Sequence, residues 1–225
     1  MKKKPVIAID GFSSTGKSSI SKQIAKRLEL IHIDTGALYR GITLFALQNC
    51  LNDNHEIDIK SLFSKFSQIN LKFRAHHNVL ELFLNNQNID KEIRDPKVSQ
   101  NVSLVAKQPE VRAFLLDFQR NLAEKGGVIM DGRDIGTVIL PNADFKFFIT
   151  ASPEERARRR FLELQHDGVE TTYEDVYNNL ITRDKIDSER DVAPLKQAED
   201  AILIDNTNIN KEQTIELILS YILKS

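Results

Sequence analysis

One segment near the amino end has the residue types and spacing of a phosphate-binding loop. Residues 11–18 read GFSSTGKS, which fits the pattern G-x-x-x-x-G-K-[ST] at every fixed position. In such a loop, backbone N–H groups surround phosphate oxygens and the next helix presents its positive dipole end. Lys17 can then bridge the β- and γ-phosphates of a nucleotide, and the Ser18 hydroxyl can bind Mg²⁺. The residues expected to contact the nucleotide are Gly11, Phe12, Ser13, Ser14, Thr15, Gly16, Lys17, Ser18 and Ser19.

The elements that such a loop requires are present on both sides of it. Residues 6–9 form a short apolar run, which is typical of a strand buried on both faces. After the loop, Ile20, Ile24 and Leu28 recur every four residues, which indicates a helix. Because a chance glycine-containing turn would lack this setting, the segment is predicted to be a functional phosphate loop.

The rest of the chain alternates short apolar runs with helical patterns. Further strands are predicted at residues 30–33, 128–130, 145–149 and 201–204, and helices at 37–51, 110–124, 153–166, 173–185 and 211–223. This alternation predicts a parallel sheet with helices on both faces. The stretch 69–89 differs, because its runs at 69–73, 79–84 and 87–89 resemble a small antiparallel sheet. We therefore expect an α/β fold with a five-stranded parallel sheet and a small antiparallel insert.

Composition restricts the classes of protein to which the chain can belong. Its 225 residues, 41% hydrophobic and 28% charged, suffice for a buried core in one domain with inserts. A net charge of −1 gives no general attraction for nucleic acid or anionic membrane. The apolar run after the first lysines is too short for a signal peptide, and the single cysteine, Cys50, cannot form an internal disulfide. We expect a cytoplasmic monomer that has no nucleic-acid or membrane partner.

Arginines beyond two of the predicted strands indicate what receives a phosphoryl group. Phosphoryl transfer requires positioning and positive charge, and arginine suits an acceptor that already carries a phosphate. Arg40 follows the strand at 30–33, and Arg133 follows the strand at 128–130. Ligands of open parallel sheets bind at the carboxyl ends of the strands, where the phosphate loop also lies. The pattern favours a kinase that acts on a small acceptor.

Other interpretations of these residues stay open at this point. Arg40 could lie on a helix surface, residues 131–134 could form a turn with an internal ion pair, and residues 156–160 could be a solvated helix face. Arg183 and Asp187 have the i,i+4 spacing of a helical salt bridge. A GTPase is disfavoured because no Asn/Thr-Lys-x-Asp segment is present. A nucleic-acid-binding NTPase is disfavoured because the net charge is near zero and aromatic residues do not alternate with basic ones.

Longer strings resemble the bacterial cytidylate kinases, which are nucleoside monophosphate kinases with a phosphate loop. Residues 9–18, 33–40, 131–138, 154–157 and 192–195 carry the resemblance, together with the pairs at 93–94 and 183–184. It implies a core at 1–34, 102–150 and 191–225, an acceptor-binding part with the insert at about 35–101, and a helical lid at about 151–190. It also implies Mg²⁺-assisted transfer from ATP to CMP or dCMP without a covalent intermediate. UMP, AMP or a non-nucleotide acceptor remains the alternative.

The resemblance implies roles for individual residues. Those implied to bind the acceptor phosphate are Thr35, Arg40 and Arg133. Those implied to read the cytosine are Ser103, Arg112, Asp134 and Arg190. Arg183 and Asp187 are implied to contact the ribose, and Arg183 can also reach the phosphates. The lid arginines would be Arg156, Arg159 and Arg160, of which Arg159 is expected to contact ATP. The cations implied in catalysis are Lys17, Arg133, Arg156 and Arg183.

The chain departs from the family's usual residues at four positions in these motifs. Phe12 stands where many members have proline, and Ser14 and Ser18 stand where many have glycine. Thr35 replaces a frequent serine and keeps its hydroxyl. None of these changes removes a charge or a donor that the implied chemistry requires.

Overall fold

The computed structural model of the chain describes residues 4–76 and 79–224. Within these residues the chain forms a five-stranded parallel sheet, a three-stranded antiparallel sheet and eight α-helices. Along the chain they are β1 (Val6–Gly11), α1 (Lys17–Leu28), β2 (Ile31–Asp34), α2 (Thr35–Asn49), α3 (Ile59–Ser64), β3 (Leu71–His76), β4 (Val79–Leu84), β5 (Gln87–Asn88), α4 (Pro96–Ala106), α5 (Pro109–Ala123), β6 (Val128–Gly132), β7 (Phe145–Thr150), α6 (Pro153–His166), α7 (Tyr173–Glu189), β8 (Ile202–Asp205) and α8 (Lys211–Leu223).

The chain divides into two units. The parallel-sheet unit comprises Met1–Ile33 and Arg120–Ser225, and the insert unit comprises Asp34–Gln119. Each unit has its own apolar core: Ile7, Phe147 and Ile215 belong to that of the parallel-sheet unit. Leu38 and Leu62 belong to that of the insert unit.

The parallel sheet confirms the α/β prediction. Its strand order is β2-β6-β1-β7-β8, so β1 occupies the centre. Ile7 and Ile9 of β1 are fully buried, as expected of a strand covered on both faces. In the parallel register, Asp10 lies opposite Gly132 of β6 and Gly11 lies opposite Ile149 of β7. The carboxyl ends of the central strands therefore meet at one edge of the sheet.

The insert unit contains the antiparallel sheet that the sequence predicted at residues 69–89. Its strand order is β3-β4-β5, and β3 pairs with β4 from Leu71 opposite Leu84. The turn predicted at 85–86 is present, and Asn85 and Asn86 both have positive φ, which asparagine tolerates well. Part of the turn predicted at 75–78 lies outside the described residues. At Gly41 of α2 an added Cβ would lie 3.1 Å from a Leu71 methyl group, so the glycine allows close helix–sheet contact.

Two helices of the insert unit were not predicted. The α3 helix begins after Asp58, whose side chain accepts the N–H groups of Lys60 and Ser61. The α4 helix begins at Pro96 after Asp95, whose side chain accepts the N–H group of Lys97. Both starts have a recognisable N-cap residue, but the helices are short and carry weak apolar periodicity.

The helices α6 and α7 form the helical segment that the sequence predicted as a lid. The Ser152 hydroxyl accepts the N–H group of Glu155 at the start of α6, with Pro153 in the first helical position. The Thr172 side chain caps α7 in the same way. The two helices pack against each other. Over the residues that the structure describes, no helix combines the length and apolar character that a membrane crossing needs.

Candidate active site

The phosphate loop connects β1 to α1 in the conformation that its glycines allow. Gly11 has φ 148°, and an added Cβ would lie 2.0 Å from the carbonyl oxygen of Ile149, so only glycine fits. Gly16 has φ 84° and precedes α1 as its N-cap residue. The first turn of a helix has N–H groups without partners inside the helix, and they point toward the loop. The loop is therefore built to bind an anion.

Two departures from the family pattern have physical consequences in the loop. Ser14 has φ 59°, in the left-handed region that glycine adopts freely and that costs other residues about 1 kcal/mol. The Phe12 ring meets the Phe148 ring edge to face, with centroids 5.9 Å apart. The Arg156 guanidinium carbon lies 4.9 Å from the Phe12 centroid. Phe12 therefore packs the loop against β7 and α6, a contact that proline would not make in this form.

Lys17 is buried against the backbone of its own loop. Its side-chain Nζ donates a hydrogen bond of 2.6 Å to the carbonyl oxygen of Phe12. The Thr15 hydroxyl donates to the same oxygen at 3.0 Å. Asn206, which follows β8, donates from its side-chain amide to the carbonyl oxygen of Thr15 at 2.9 Å. The ammonium group and the loop backbone are thus fixed relative to each other.

Ser18 and Asp131 form a pair of oxygen ligands next to the loop. The Ser18 hydroxyl donates to Asp131 Oδ2 at 2.5 Å, and the other carboxylate oxygen, Oδ1, lies 2.6 Å from His32 Nε2. Asp131 is 2% exposed. Mg²⁺ prefers oxygen ligands, and at nucleotide sites it is bound by phosphates with one or two protein oxygens. The donor set present here fits that ion.

Asp10 connects the phosphate loop to the segment that follows Arg133 and Asp134. Its two carboxylate oxygens accept the N–H groups of Ile135 and Gly136, each at 2.7 Å. Burial raises the pKa of Asp10 to about 7, although these two N–H groups and the charge of Lys17 oppose the rise. Asp10 therefore fixes the carboxyl ends of β1 and β6 relative to each other.

Replacing Asp10 by asparagine is expected to destabilise the fold by about 1–3 kcal/mol, because an amide nitrogen would face a buried N–H donor. Burial makes the folded state bind the Asp10 proton more tightly, so wild-type stability falls as pH rises from 3.8 to about 7. The amide introduced by Asp10→Asn does not titrate, so the free-energy difference between wild type and this variant should shrink over that window. Urea unfolding at pH 5 and pH 8 measures both effects.

A matched control for this substitution is Asp144→Asn. Asp144 also accepts a backbone N–H of β1, from Val6 at 2.7 Å, but it is exposed. Its replacement should change the unfolding free energy by about 0.5 kcal/mol or less. An equal effect of the two substitutions at both pH values would contradict the role given to the burial of Asp10.

Arg133, which is half-buried, forms an ion pair with the buried Asp187 within the parallel-sheet unit. Arg133 Nε donates to Asp187 Oδ2 at 3.0 Å, and the Asp187 side chain is 6% exposed. Burial alone would raise the pKa of Asp187, but the positive charges of Arg133, Arg190 and Arg183 hold it below its ordinary value. Asp187 is therefore ionised at neutral pH and brings three guanidinium groups together.

Asp134 forms a second ion pair, which is buried, next to the first. Arg190 Nη2 donates to Asp134 Oδ1 at 3.2 Å, and Arg190 Nε donates to the carbonyl oxygen of Ala193 at 2.7 Å. The interpretation of residues 131–134 as a turn with an internal ion pair is therefore wrong. The strand β6 continues through Gly132, and a π-helical turn covers Ile135–Ile139. Between them, Arg133 pairs with Asp187 on α7 and Asp134 pairs with Arg190 at the end of α7.

Arg156 connects the helical segment to the phosphate loop. It is 3% exposed and donates to Asp184 Oδ2 at 2.5 Å and to the carbonyl oxygen of Ala151 at 2.9 Å. A longer contact of 3.4 Å reaches the carbonyl oxygen of Ser13 in the loop. Burial raises the pKa of Asp184, and Arg156 opposes that rise. Arg156 thus contacts α7, the start of α6 and the loop.

The other arginines of α6 divide into two groups. Arg159 donates to the Asn206 side chain at 3.0 Å and to the Asn206 carbonyl oxygen at 2.7 Å. Arg158 and Arg160 pair with Glu155 and Glu163 at the surface. The hydrogen bond from Arg158, with help from Arg159, lowers the pKa of Glu155 to about 2. The solvated-face interpretation describes Arg158, whereas Arg156 and Arg159 bind the loop region.

Four predicted site residues lie in the insert unit. Thr35 begins α2 and is 2% exposed. Asp34 caps this helix by accepting the N–H group of Ala37, and its other oxygen accepts a 2.7 Å bond from Arg40. Arg40 therefore lies near the start of α2 as a partly exposed helix residue, 27% exposed, whose guanidinium is oriented by Asp34.

The remaining two lie on neighbouring helices of the same unit. Ser103 on α4 is 3% exposed. Arg112 on α5 donates to the carbonyl oxygen of Ala106 at 3.3 Å, and its guanidinium carbon lies 5.3 Å from the Tyr39 ring centroid. Both side chains are polar and buried, so their polar atoms need hydrogen-bond partners.

Several residues with contacts to the site were not singled out from the sequence. They are Asp10, His32, Asp131 and Asn206. Asp10, Asp131 and Asn206 stand at the carboxyl end of a strand. The same position indicated Arg133 as a site residue, so it could have indicated these three as well. His32 gave a weaker signal, a single polar side chain in an apolar strand.

The phosphate loop follows the central strand of a parallel sheet, and Arg133 follows the neighbouring strand β6. These features define a P-loop nucleotide-binding protein of the α/β class. The sequence model of the cytidylate kinases matches residues 7–224. The cytidylate kinase of Flavobacterium johnsoniae is 46% identical over 222 residues, which cover 98% of this chain and 96% of that protein. The cytidylate kinase of Bacillus cereus is 43% identical over 222 residues, which cover 99% and 97%. The chain belongs to the cytidylate kinase family, as the resemblance predicted.

One solved structure supports the fold alone. An uncharacterized protein from Eubacterium ventriosum aligns with a TM-score of 0.51 at 15% identity, over 99% of this chain and 100% of that chain. Similarity at this level shows a shared architecture and carries no information on substrate.

Proposed function

We propose that the chain transfers the γ-phosphoryl group of ATP to CMP or dCMP, which yields ADP and CDP or dCDP. One observation carries the proposal: Asp10 joins the phosphate loop to the segment that presents Arg133 and Asp134. The strands β1 and β6 are neighbours in the sheet, so a donor site at the phosphate loop and a cationic acceptor site at Arg133 would lie at adjacent strand ends. Phosphoryl transfer needs this fixed spacing more than any covalent chemistry.

On the donor side, Lys17 and the loop N–H groups would bind the β- and γ-phosphates. Ser18 would bind Mg²⁺ through its hydroxyl oxygen, while its O–H donates a hydrogen bond to Asp131. When bound, the ion neutralises charge on the β- and γ-phosphate oxygens. The α6 arginines Arg156 and Arg159 would contact ATP as the segment at about 151–190 closes and excludes water.

On the acceptor side, an oxygen of the CMP phosphate attacks the γ-phosphorus, and the bond to the β–γ bridging oxygen breaks. The acceptor phosphate is ionised at neutral pH, so no general base is needed. It would be bound by Thr35, Arg40 and Arg133. The ribose would contact Arg183 and Asp187, and the cytosine would be read by Ser103, Arg112, Asp134 and Arg190. The substrates are free nucleotides, which suits a cytoplasmic monomer without a nucleic-acid or membrane partner.

A coupled assay of ADP release across CMP, dCMP, UMP and AMP tests the proposal. CMP and dCMP should be the best acceptors. UMP should fall behind by about 10²-fold or more, because its carbonyl and N–H would face groups arranged for an amino group and an acceptor nitrogen. Similar rates with AMP and CMP, or turnover of none of the four, would contradict the assignment.

Replacing Ser103 by alanine is expected to lower kcat/KM for CMP by about 10- to 100-fold, the worth of one hydrogen bond in a buried site. The rate with UMP should fall less, so the CMP-to-UMP ratio measured in the same assay should decrease. Ser67→Ala is the matched control, because Ser67 is exposed in the same unit. Equal losses with CMP and UMP would show that Ser103 does not read the base.

A further inference from the structure

His32 is a polar residue between the two isoleucines of β2. It lies in β2, between Ile31, which is 52% exposed, and Ile33, which is 1% exposed. The His32 side chain is 18% exposed, and its Nε2 lies 2.6 Å from Oδ1 of the buried Asp131. The strand β2 is the edge neighbour of β6, which carries Asp131. The imidazole therefore approaches this carboxylate from the adjacent strand.

The Asp131 carboxylate has partners on two sides. Oδ1 meets His32 Nε2 at 2.6 Å, and Oδ2 accepts the hydrogen bond from the Ser18 hydroxyl at 2.5 Å. With one oxygen bound by β2 and the other by the start of α1, rotation of the carboxylate is restricted. If the imidazole is removed, a buried carboxylate oxygen loses a donor and the orientation of the group is less well determined.

This orientation matters for the cation that the donor site would bind. A serine that gives an oxygen lone pair to Mg²⁺ must direct its proton to an acceptor elsewhere. At Ser18 that acceptor is Asp131 Oδ2. Groups behind a metal ligand fix its orientation, and replacing them typically costs about 10- to 100-fold in metal affinity or activity.

We propose that His32 is a positioning residue, which holds Asp131 so that Asp131 orients the Ser18 hydroxyl toward the nucleotide-bound Mg²⁺. The inference rests on the proposed function for the presence of Mg²⁺ with the nucleotide. The role requires an N–H group at the place of His32 Nε2 and no change of protonation during turnover. A glutamine at this position carries an N–H of similar reach.

Calorimetric titration with ADP, in the presence and absence of Mg²⁺, tests the proposal without any turnover. In wild type, Mg²⁺ should strengthen ADP binding. In His32→Leu that enhancement should fall by about 10-fold, while binding of ADP without Mg²⁺ and binding of CMP stay unchanged. His32→Gln should retain most of the enhancement, because it keeps the donor. His32→Asn is too short to reach Asp131 and should behave like His32→Leu while keeping a polar side chain in the strand.

The control is His166→Leu, because His166 is an exposed residue at the end of α6. It should bind ADP as wild type does under both conditions. Full Mg²⁺ enhancement in both His32→Leu and His32→Asn would overturn the proposal. An equal loss of the Mg²⁺ enhancement in His32→Gln and His32→Leu would also overturn it, because that result indicates a packing role for His32. The ADP titration contains no acceptor, so its result does not depend on whether CMP is the substrate. The proposal for His32 and the proposed function can therefore fail separately.

Discussion

Replacing Lys17 by methionine is expected to lower kcat with CMP by at least about 10³-fold while the chain stays folded. Methionine fills the buried space of the side chain but cannot stabilise the charge on the transferring group. The carbonyl oxygen of Phe12, which accepts from Lys17 at 2.6 Å, keeps its second donor, the Thr15 hydroxyl at 3.0 Å. The loop should therefore retain its shape. Coupled assays and urea unfolding of the same preparations measure activity and stability.

Lys22→Met provides the matched control, because Lys22 lies in the same helix and is exposed. This variant should stay within about twofold of wild type in kcat, since surface substitutions away from a site have small effects. A kcat for Lys17→Met within tenfold of wild type would remove the loop from the proposed chemistry. A large loss of unfolding free energy in Lys17→Met alone would instead show a structural role for the ammonium group.

The parallel sheet was predictable because its signals are local. Each strand is a short apolar run, and the helices between the strands show four-residue spacing, as at Ile20 and Ile24. The helices α3 and α4 were missed because they are short and begin at cap signals that are frequent in loops as well, at Asp58 and Asp95. Their existence depends on the apolar core that they cover, in which Leu62 and Val98 are buried.

The phosphate loop and Arg133 were predictable from their places at strand ends, but their partners were not. Arg133 bonds to Asp187, 54 residues away, and Ser18 bonds to Asp131, 113 residues away. Such pairs depend on how α7 and β6 pack, which no local pattern specifies. The family resemblance named Asp187 as a ribose contact and gave no indication that it also gathers three arginines.

The arginine run at 156–160 shows which part of a pattern can be read from spacing. In a helix, Arg156 and Arg159 lie three positions apart on one side, and Arg158 points elsewhere. The structure follows this division: Arg156 contacts the loop, Arg159 contacts Asn206, and the exposed Arg158 pairs with Glu155. Helical periodicity predicts that these arginines point in different directions, but only the packed structure shows which of them face the protein interior.

The buried charges of the parallel-sheet unit explain why an anion should bind there. Arg133, Arg183 and Arg190 surround Asp187, and the nearby Asp134 pairs with Arg190. The carboxylates of Asp187, Asp134 and the nearby Asp184 hold these guanidinium groups in place, and the Arg133 side chain remains 21% exposed. Under the proposed function, a phosphate dianion would bind beside these guanidinium groups through charge-assisted hydrogen bonds. Removal of Arg133 should therefore have a large effect.

Replacing Arg133 by alanine is expected to lower kcat/KM for CMP by about 10³-fold or more, the contribution of a charge-stabilising arginine in phosphoryl transfer. The ion pair with Asp187 uses Nε, so the two Nη groups can still bind a phosphate. Alanine removes both the phosphate-binding groups and the ion pair with Asp187. The buried Asp187 then has less positive charge around it, which should raise its pKa. Coupled assays at several CMP concentrations, with urea unfolding in parallel, measure the two effects.

Arg133→Lys separates the binding role from the structural one. Lysine keeps a positive charge beside Asp187 and should preserve most of the stability, but it lacks the planar fork and should still lose about 10-fold or more in kcat/KM. Arg27→Ala is the control, because Arg27 forms exposed ion pairs with Glu212 and Glu216, which contribute little to stability. Two results together would contradict the binding role: Arg133→Lys has the kcat/KM of wild type, and the loss of activity in Arg133→Ala is no larger than its fraction of unfolded protein. Arg133 would then be only a structural partner of Asp187.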